Sequence, residues 1–309
     1  MNDELDHLLE RVKPIARDKD DERLKFIRSE HWIGYGLALK AISELSMLLS
    51  HPKRLRMPNL LIIGPTNNGK SKLIQHFWST YPPTPHLDCT RGPGDFGFYK
   101  LLPVLHLQMP PNPDVKRFYT MIMDNLGFEA ARTLRTATLE VAVINRLVEV
   151  QVSMLVIDEL HNILAGRHDQ QREFLNVLRF LGNELKIPIV GVGTRDAYLA
   201  IRSDEQLENR FQPFIMPPWE EGQEYLSLLA SYAALLPLRE PSSFTQQTEG
   251  RFILQRTGGI LGEISVLLSR AAELAILTGR EKIDEGILRN TKYQSPTERR
   301  QMMEQKLGF

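Results

Sequence analysis

The sequence predicts an α/β chain: a parallel sheet flanked by helices, followed by a small all-helical region. Three observations predict it. Short apolar strand patterns (LLIIG, LLPVLHLQM, SMLVIDE and IPIVGVGT) alternate with helical ones, which implies a parallel sheet with helices on both faces. From about Trp219 the strand patterns stop and only helical spacing follows. The first strand pattern also runs directly into a Gly-bounded loop that ends in Lys-Ser.

Taken in order, residues 1–30 carry dense mixed charge around DKDDER, with Leu5, Leu8, Leu9 and Val12 at helical spacing. They read as a solvated helical arm, with a docking arm as the alternative. His31 to Ser50 reads as an amphipathic helix opened by HWIGYG. LLIIG is a short buried strand closed by Gly64, and KSKLIQHFW starts a helix. YPPTPHLDCTRGPG reads as a Pro/Gly-rich connection. DVKRFYTMIMDNLG, Thr133 to Val150 and Arg172 to Leu185 are helical, the last with Phe174, Leu178, Leu181 and Leu185 on one face. Beyond Trp219, helices are expected over Glu221–Leu236, Ser243–Thr257 and Gly262–Thr278. The expected division is therefore an arm over 1–30, an α/β domain over 31–218, a helical domain over 219–290 and a loose polar tail over 291–309.

Composition narrows the classes. The 309 residues carry 38 basic and 38 acidic side chains, a net charge of +0, so no global field favours nucleic acid or a membrane. DNA binding would need a local basic strip or many copies acting together. The single cysteine, Cys89, excludes an internal disulfide framework and sets a reducing, cytoplasmic compartment as the expectation. No apolar run is long enough to span a bilayer, and the N-terminal stretch is charged rather than signal-like. The eight histidines show no metal-ligand spacing.

The loop Gly64-Pro65-Thr66-Asn67-Asn68-Gly69-Lys70-Ser71 fits G-x-x-x-x-G-K-[ST] without a mismatch, between a strand and a helix. Glycines let backbone N–H groups turn inward around phosphate oxygens, and the following helix presents its positive end. Lys70 would reach the outer phosphates, Ser71 would offer a hydroxyl to Mg²⁺, and Lys72 follows on the same helix. Met154–Asp158 then supplies an acid at the end of a buried strand: Asp158 for Mg²⁺, Glu159 to polarise the attacking water. Thr194 closes the fourth strand and could orient that water; a plain strand cap is the alternative. Arg210, before an aromatic, could act on a neighbour's phosphate; an ordinary surface arginine is the alternative, and Arg202 is a weaker competitor.

These motifs, in this order and ahead of a helical lid, resemble an AAA+ ATPase. More narrowly, RMPNLLIIG with its NNGKS loop end, VLHLQMPPNPDVKRFYTMIMDNLG, MLVIDELHNILAG, IPIVGVGT and NRFQPF resemble the TniB family of transposition proteins, over about residues 28–290. That family is similar to TnsC and, more distantly, to the phage Mu B protein. The resemblance implies ATP and Mg²⁺ as cofactors. It implies assembly of a homo-oligomer, a ring or helical filament, on double-stranded DNA, and recruitment of a DDE transposase and a TniQ-type targeting partner. Hydrolysis would take the assembly apart. It also implies Thr194 as a sensor and Arg210 as the arginine finger. One departure is visible: many AAA+ lids place an arginine soon after the Gly-Gly of the lid helix, whereas TGGILGEIS has Gly262 and Glu263 there. The lid would then sense nucleotide weakly, and a neighbour's Arg210 would matter more.

The resemblance places DNA-facing residues after the second strand, which selects Lys116, Arg117, Arg132, Thr133 and Arg135, binding phosphates without sequence readout. Solvated helix charge is the alternative for each. Lys53, Arg54 and Arg56 form a second basic strip, suited equally to a subunit contact. Trp32, Ile33 and Tyr35 could offer the adenine pocket; core packing is the alternative. A helicase-loader or replication-initiation ATPase is the competing function, for which a dedicated C-terminal DNA-reading domain would be expected. A nucleotide-bound scaffold is the third reading, and Glu159 argues against it.

Overall fold

The structure, a computed structural model, describes residues 5–88, 97–128 and 133–308. It opens with helices α1 (Lys13–Arg17), α2 (Asp20–Arg28) and α3 (Gly36–Leu49), then strand β1 (Asn59–Ile63) and α4 (Lys70–Ser79). Strands β2 (Thr84–Asp88), β3 (Gly97–Leu101) and β4 (Val104–Gln108) precede α5 (Val115–Asn125) and α6 (Thr136–Glu149). Strand β5 (Met154–Asp158), a 3₁₀ turn (Leu160–Ala165), α7 (His168–Leu185), β6 (Ile189–Gly193), α8 (Arg195–Arg202), α9 (Glu205–Glu208) and β7 (Phe211–Ile215) follow. Helices α10 (Gln223–Leu235), α11 (Gln247–Thr257), α12 (Leu261–Leu277), α13 (Glu285–Asn290) and α14 (Pro296–Leu307) complete the chain.

The chain divides into two compact units, one of Ala38–Thr66 and Lys70–Met216, the other of Met1–Leu37, Asn67–Gly69 and Pro217–Phe309. The first is the expected α/β layer. Its five strands pair in parallel in the order β4-β5-β6-β1-β7. Strands β5 and β6 are buried throughout, which explains why they read as continuous apolar runs rather than alternating ones. Phe118 and Tyr119 of α5, Leu139 and Val143 of α6, and Phe174 and Leu178 of α7 fill one core with the sheet. Full burial of side chains of this size contributes about 1.5–3 kcal/mol each. Asn59 is buried at the start of β1, where its Oδ1 accepts from the Ile189 N–H at 2.9 Å and ties β1 to β6.

The second unit is helical, with a core of Tyr225, Leu229, Ile253, Ile264, Leu268 and Leu288 among others. Here the structure corrects the expected solvated arm. Leu5, Leu8, Val12 and Ala16 are buried with Leu235 of α10, and Arg23 of α2 is wholly buried. The apolar spacing of Leu5, Leu8 and Val12 marks a packed face, and the dense charge that follows does not keep the segment in solvent. Further differences concern α14 and three strands. Residues 291–309, expected to be loose, contain α14, opened by a capping box between Ser295 and Glu298. Strand β7 and the antiparallel pair β2–β3 fall where no strand was expected. In β7, Pro213 and an exposed outer face hide the strand signal, and both are tolerated because β7 is an edge strand.

Candidate nucleotide site

The site in the α/β unit is assembled at the C-terminal ends of β1, β6 and β5. Strand β1 ends at Gly64, whose N–H donates to the Gly193 carbonyl at 3.2 Å. A β-carbon on Gly64 would stand 2.5 Å from the Met216 carbonyl oxygen, so only glycine fits this entry to the loop. Pro65 and Thr66 continue the loop, and Lys70 opens α4. Lys70 is buried, and its Nζ donates to the carbonyls of Gly64 at 2.9 Å and Pro65 at 2.6 Å. Burial pushes its ammonium below the ordinary range, while the charges of Asp158 and Glu159 pull the other way. A buried cation whose hydrogen-bond acceptors among the described residues are neutral carbonyls is suited to an incoming polyphosphate.

Asp158 ends β5, buried, and its Oδ1 accepts from the Glu159 N–H at 2.8 Å. Glu159 has a left-handed backbone, φ 56°, which turns the chain out of the strand into the 3₁₀ turn. Its Oε2 lies 3.1 Å from His161 Nε2. The other ring nitrogen of His161, Nδ1, is buried and has no hydrogen-bond partner among the described residues. The sequence signal for His161 is its place in DELH, two residues after Glu159. Strand β6 lies between β5 and β1, so Thr194, which follows β6, lies between the acids and the loop. Thr194 occupies the N-cap of α8, yet its side chain makes no capping hydrogen bond. Ser71 is exposed on the first turn of α4 and Lys72 half-buried beside it. A hydroxyl and a carboxylate are hard oxygen donors of the kind Mg²⁺ takes alongside substrate phosphates. No group of three or more His, Cys, Asp or Glu able to hold a metal occurs among the described residues.

Arg210 sits at the other end of the sheet, one residue before β7. Its Nη1 donates to Asn183 Oδ1 at 2.7 Å. Burial, with the like charges of Arg56 and Arg179, lowers its pKa, against the charge of Asp204. The HPKRLR strip thus shares a neighbourhood with Arg210 through Arg56. Arg202 lies 4.0 Å from Glu208 on the surface.

Of the basic candidates for DNA, Lys116 and Arg117 are exposed on the first turn of α5, and Thr133 and Arg135 are exposed just before α6. The Tyr119 hydroxyl donates to Glu140 at 2.9 Å, which joins the second turns of the two helices and brings these N-terminal ends together. Arg132 lies outside the described residues, as does Cys89.

In the helical unit, the loop tip Asn67–Gly69 is held by the start of α12. The Gly262 N–H donates to the Asn67 carbonyl at 2.9 Å, and the Leu261 N–H donates to Asn68 Oδ1 at 3.1 Å. Asn68 Nδ2 donates to the Pro217 carbonyl at 2.9 Å. Asn67 and Gly69 both take left-handed backbone, φ 62° and 83°. Ile33 and Tyr35 pack against this unit's core, with Tyr35 edge-on to Trp219 at 5.1 Å. Burial raises the Tyr35 hydroxyl to about 12.

Comparison with known proteins agrees with this geometry. The family described as Bacterial TniB protein matches residues 23–221. No curated protein matches the chain. Among solved structures it is similar to the ORC2 protein of Aeropyrum pernix, solved as ADPNP–ADP complexes, with TM-score 0.58 and 16% identity over 86% of this chain and 70% of that one. It is similar to Cdc6p of Pyrobaculum aerophilum, TM-score 0.52 and 16% identity over 83% and 67%. It is also similar to Drosophila ORC bound to DNA, TM-score 0.55 and 12% identity over 90% and 66%. At these identities the likeness shows a common fold, that of AAA+ ATPases. No helix among the described residues is long and apolar enough to cross a membrane. With a parallel five-stranded sheet, a Gly-Lys-Ser loop on its β1 and the family match over most of the α/β unit, the chain belongs to the TniB family and has the AAA+ fold.

Proposed function

We propose that this protein is an ATP-hydrolysing regulator of DNA transposition. It assembles as a ring or filament on double-stranded DNA, recruits a DDE transposase and a TniQ-type targeting protein, and uses hydrolysis to disassemble. The observation that supports the ATPase reading best is the gathering of Lys70, Asp158, Glu159 and Thr194 at one end of the sheet in a chain of this family.

The roles follow from chemistry. Lys70 would hold the outer phosphates, and Ser71 with Asp158 would hold Mg²⁺, which when bound would supply neutralisation of phosphate charge. Glu159 accepts a proton from the attacking water. His161, 3.1 Å from Glu159, fixes its carboxylate, and Thr194 contacts the γ-phosphate or the water. Ile33 and Tyr35 would be the adenine contacts, and Lys116, Arg117, Arg132, Thr133 and Arg135 the contacts to DNA phosphates. The loader or replication-initiation reading has only the shared fold in its favour.

The test is ATP turnover with and without duplex DNA, alongside binding of a fluorescent nucleotide. The wild type should bind and hydrolyse. Lys70→Ala should do neither, and Glu159→Gln should bind without turnover. A wild type that binds no nucleotide would overturn the reading.

A further inference from the structure

The place on the lid helix where an arginine would reach back to the nucleotide is taken by Glu263, and its surroundings are unusual for a glutamate on the first turn of a helix. It is 6% exposed. Its Oε2 accepts from the Tyr293 hydroxyl at 2.8 Å, and its Oε1 accepts from Arg299 Nη2 at 2.8 Å. Oε1 also accepts from Asn67 Nδ2 at 3.4 Å, on the tip of the phosphate loop. Burial opposes the charge on Glu263, but the hydrogen bonds from Tyr293 and Arg299 outweigh it and hold the carboxyl below the ordinary range. The same two donors come from the C-terminal stretch, Tyr293 just before α14 and Arg299 on its first turn.

Three further features tighten this connection. The residue before Glu263 is Gly262, whose N–H donates to the Asn67 carbonyl at 2.9 Å and whose α-carbon faces the Asn67 side-chain amide. Asn67 has left-handed backbone, φ 62°, a conformation that asparagine tolerates better than most residues and that turns the loop tip toward α12. Helix α14 has no buried residue of its own, and Arg299 is half-exposed. A helix without a core contact is retained by few interactions, and the Arg299–Glu263 pair is one of them.

We propose that Glu263 is a positioning residue for the nucleotide loop, and that α14, acting through Arg299, sets how firmly it holds Asn67. When Arg299 is engaged, Glu263 is charged, oriented and available to Asn67, and the loop tip stays closed on bound nucleotide. When α14 is drawn away, Glu263 keeps Tyr293 on Oε2 but loses Arg299 from Oε1, the oxygen that faces Asn67, so the loop tip loosens and nucleotide leaves faster. The C-terminal helix is thereby a handle on nucleotide exchange, a role for which the departure from the lid arginine leaves room. The inference rests on the nucleotide-binding reading of the loop.

The test is stopped-flow release of a fluorescent ADP from the full-length protein. Arg299→Ala should release it about tenfold faster, the size expected for loss of one charge-assisted hydrogen bond. Arg299→Lys should restore much of the slow release. Arg300→Ala, on the exposed neighbouring position, should match the wild type. Asn67→Ala should also speed release, and the double variant Asn67→Ala/Arg299→Ala should be no faster than the quicker single one, because both act on one link. Release from Arg299→Ala as slow as from the wild type overturns the inference, even if its melting temperature falls. A wild type that binds no ADP instead removes the nucleotide reading on which the inference stands.

Discussion

The carbonyl of Arg210 accepts a 2.9 Å hydrogen bond from the backbone N–H of Asn59, at the start of β1, whereas Gly64 and the phosphate loop lie at its end. The five residues of β1 separate them by about 16 Å. Arg210 is therefore badly placed to serve the nucleotide of its own subunit. Its side chain is aimed by Asn183 into a neighbourhood that also holds the charges of Arg56 and Arg179. Asp204, 3.5 Å from Arg179, offsets part of that charge. Arg210→Ala should lower turnover about 10³-fold or more, as removal of an arginine finger does, while a lone subunit binds nucleotide as before. Mixing Arg210→Ala with Lys70→Ala should recover activity above either alone. Recovery would be absent if Arg210 acted within its own subunit.

Glu159 and His161 should separate binding from chemistry. Glu159→Gln keeps the shape and loses the base, so turnover should fall about 10²–10⁴-fold with nucleotide affinity kept. His161→Ala leaves Glu159 without its 3.1 Å neighbour and should lower turnover about 10- to 100-fold through misplacement. Phosphate release and equilibrium binding measured on the same preparations distinguish these effects. An unchanged rate in His161→Ala would remove it from the site.

Binding to DNA should be electrostatic and indifferent to sequence. Replacing Lys116, Arg117 or Arg135 by alanine should weaken binding by similar factors on unrelated duplexes. Each should also reduce the slope of log affinity against log salt by about one. Fluorescence anisotropy across a salt series measures both. An unaltered slope in all three would move the interface elsewhere, with Lys53, Arg54 and Arg56 next to be tested.

Stability of the helical unit should depend on Arg23. Its guanidinium is wholly buried and donates to the Pro237 carbonyl at 3.1 and 2.9 Å, to Asp20 at 2.9 Å and to both carboxylate oxygens of Glu281. Arg23→Ala would strip Glu281 of its main partner and leave a polar void, costing about 3–5 kcal/mol. Urea unfolding followed by circular dichroism gives the value. A loss under about 1 kcal/mol would mean the pair behaves as an exposed one.

Much of the site was legible in the sequence because its parts are local. Gly64–Ser71 and Asp158–Glu159 are contiguous runs whose residue types state their chemistry, and four strands of the sheet read as apolar runs. The remainder depends on contacts distant in sequence. The burial of Leu5, Leu8 and Val12 is decided by Leu235 and its neighbours, and the charge around them points the other way. Strand β7 is concealed by Pro213. The link from Asn67 to Glu263 to Arg299 joins residues 196 and 36 positions apart, so no spacing rule could reveal it. The grouping of Arg210 with Arg56 and Arg179 likewise needed the fold.

Nucleotide-dependent assembly on DNA would set Arg210 against a neighbouring subunit. Electron microscopy of the protein with short duplex DNA tests it most directly, comparing ATP, ADP and a slowly hydrolysed ATP analogue in the wild type and Arg210→Ala. Ordered rings or filaments that require both DNA and the triphosphate, and that disappear in Arg210→Ala, are the predicted result. A protein that stays monomeric on DNA in every nucleotide state would rule out this assembly.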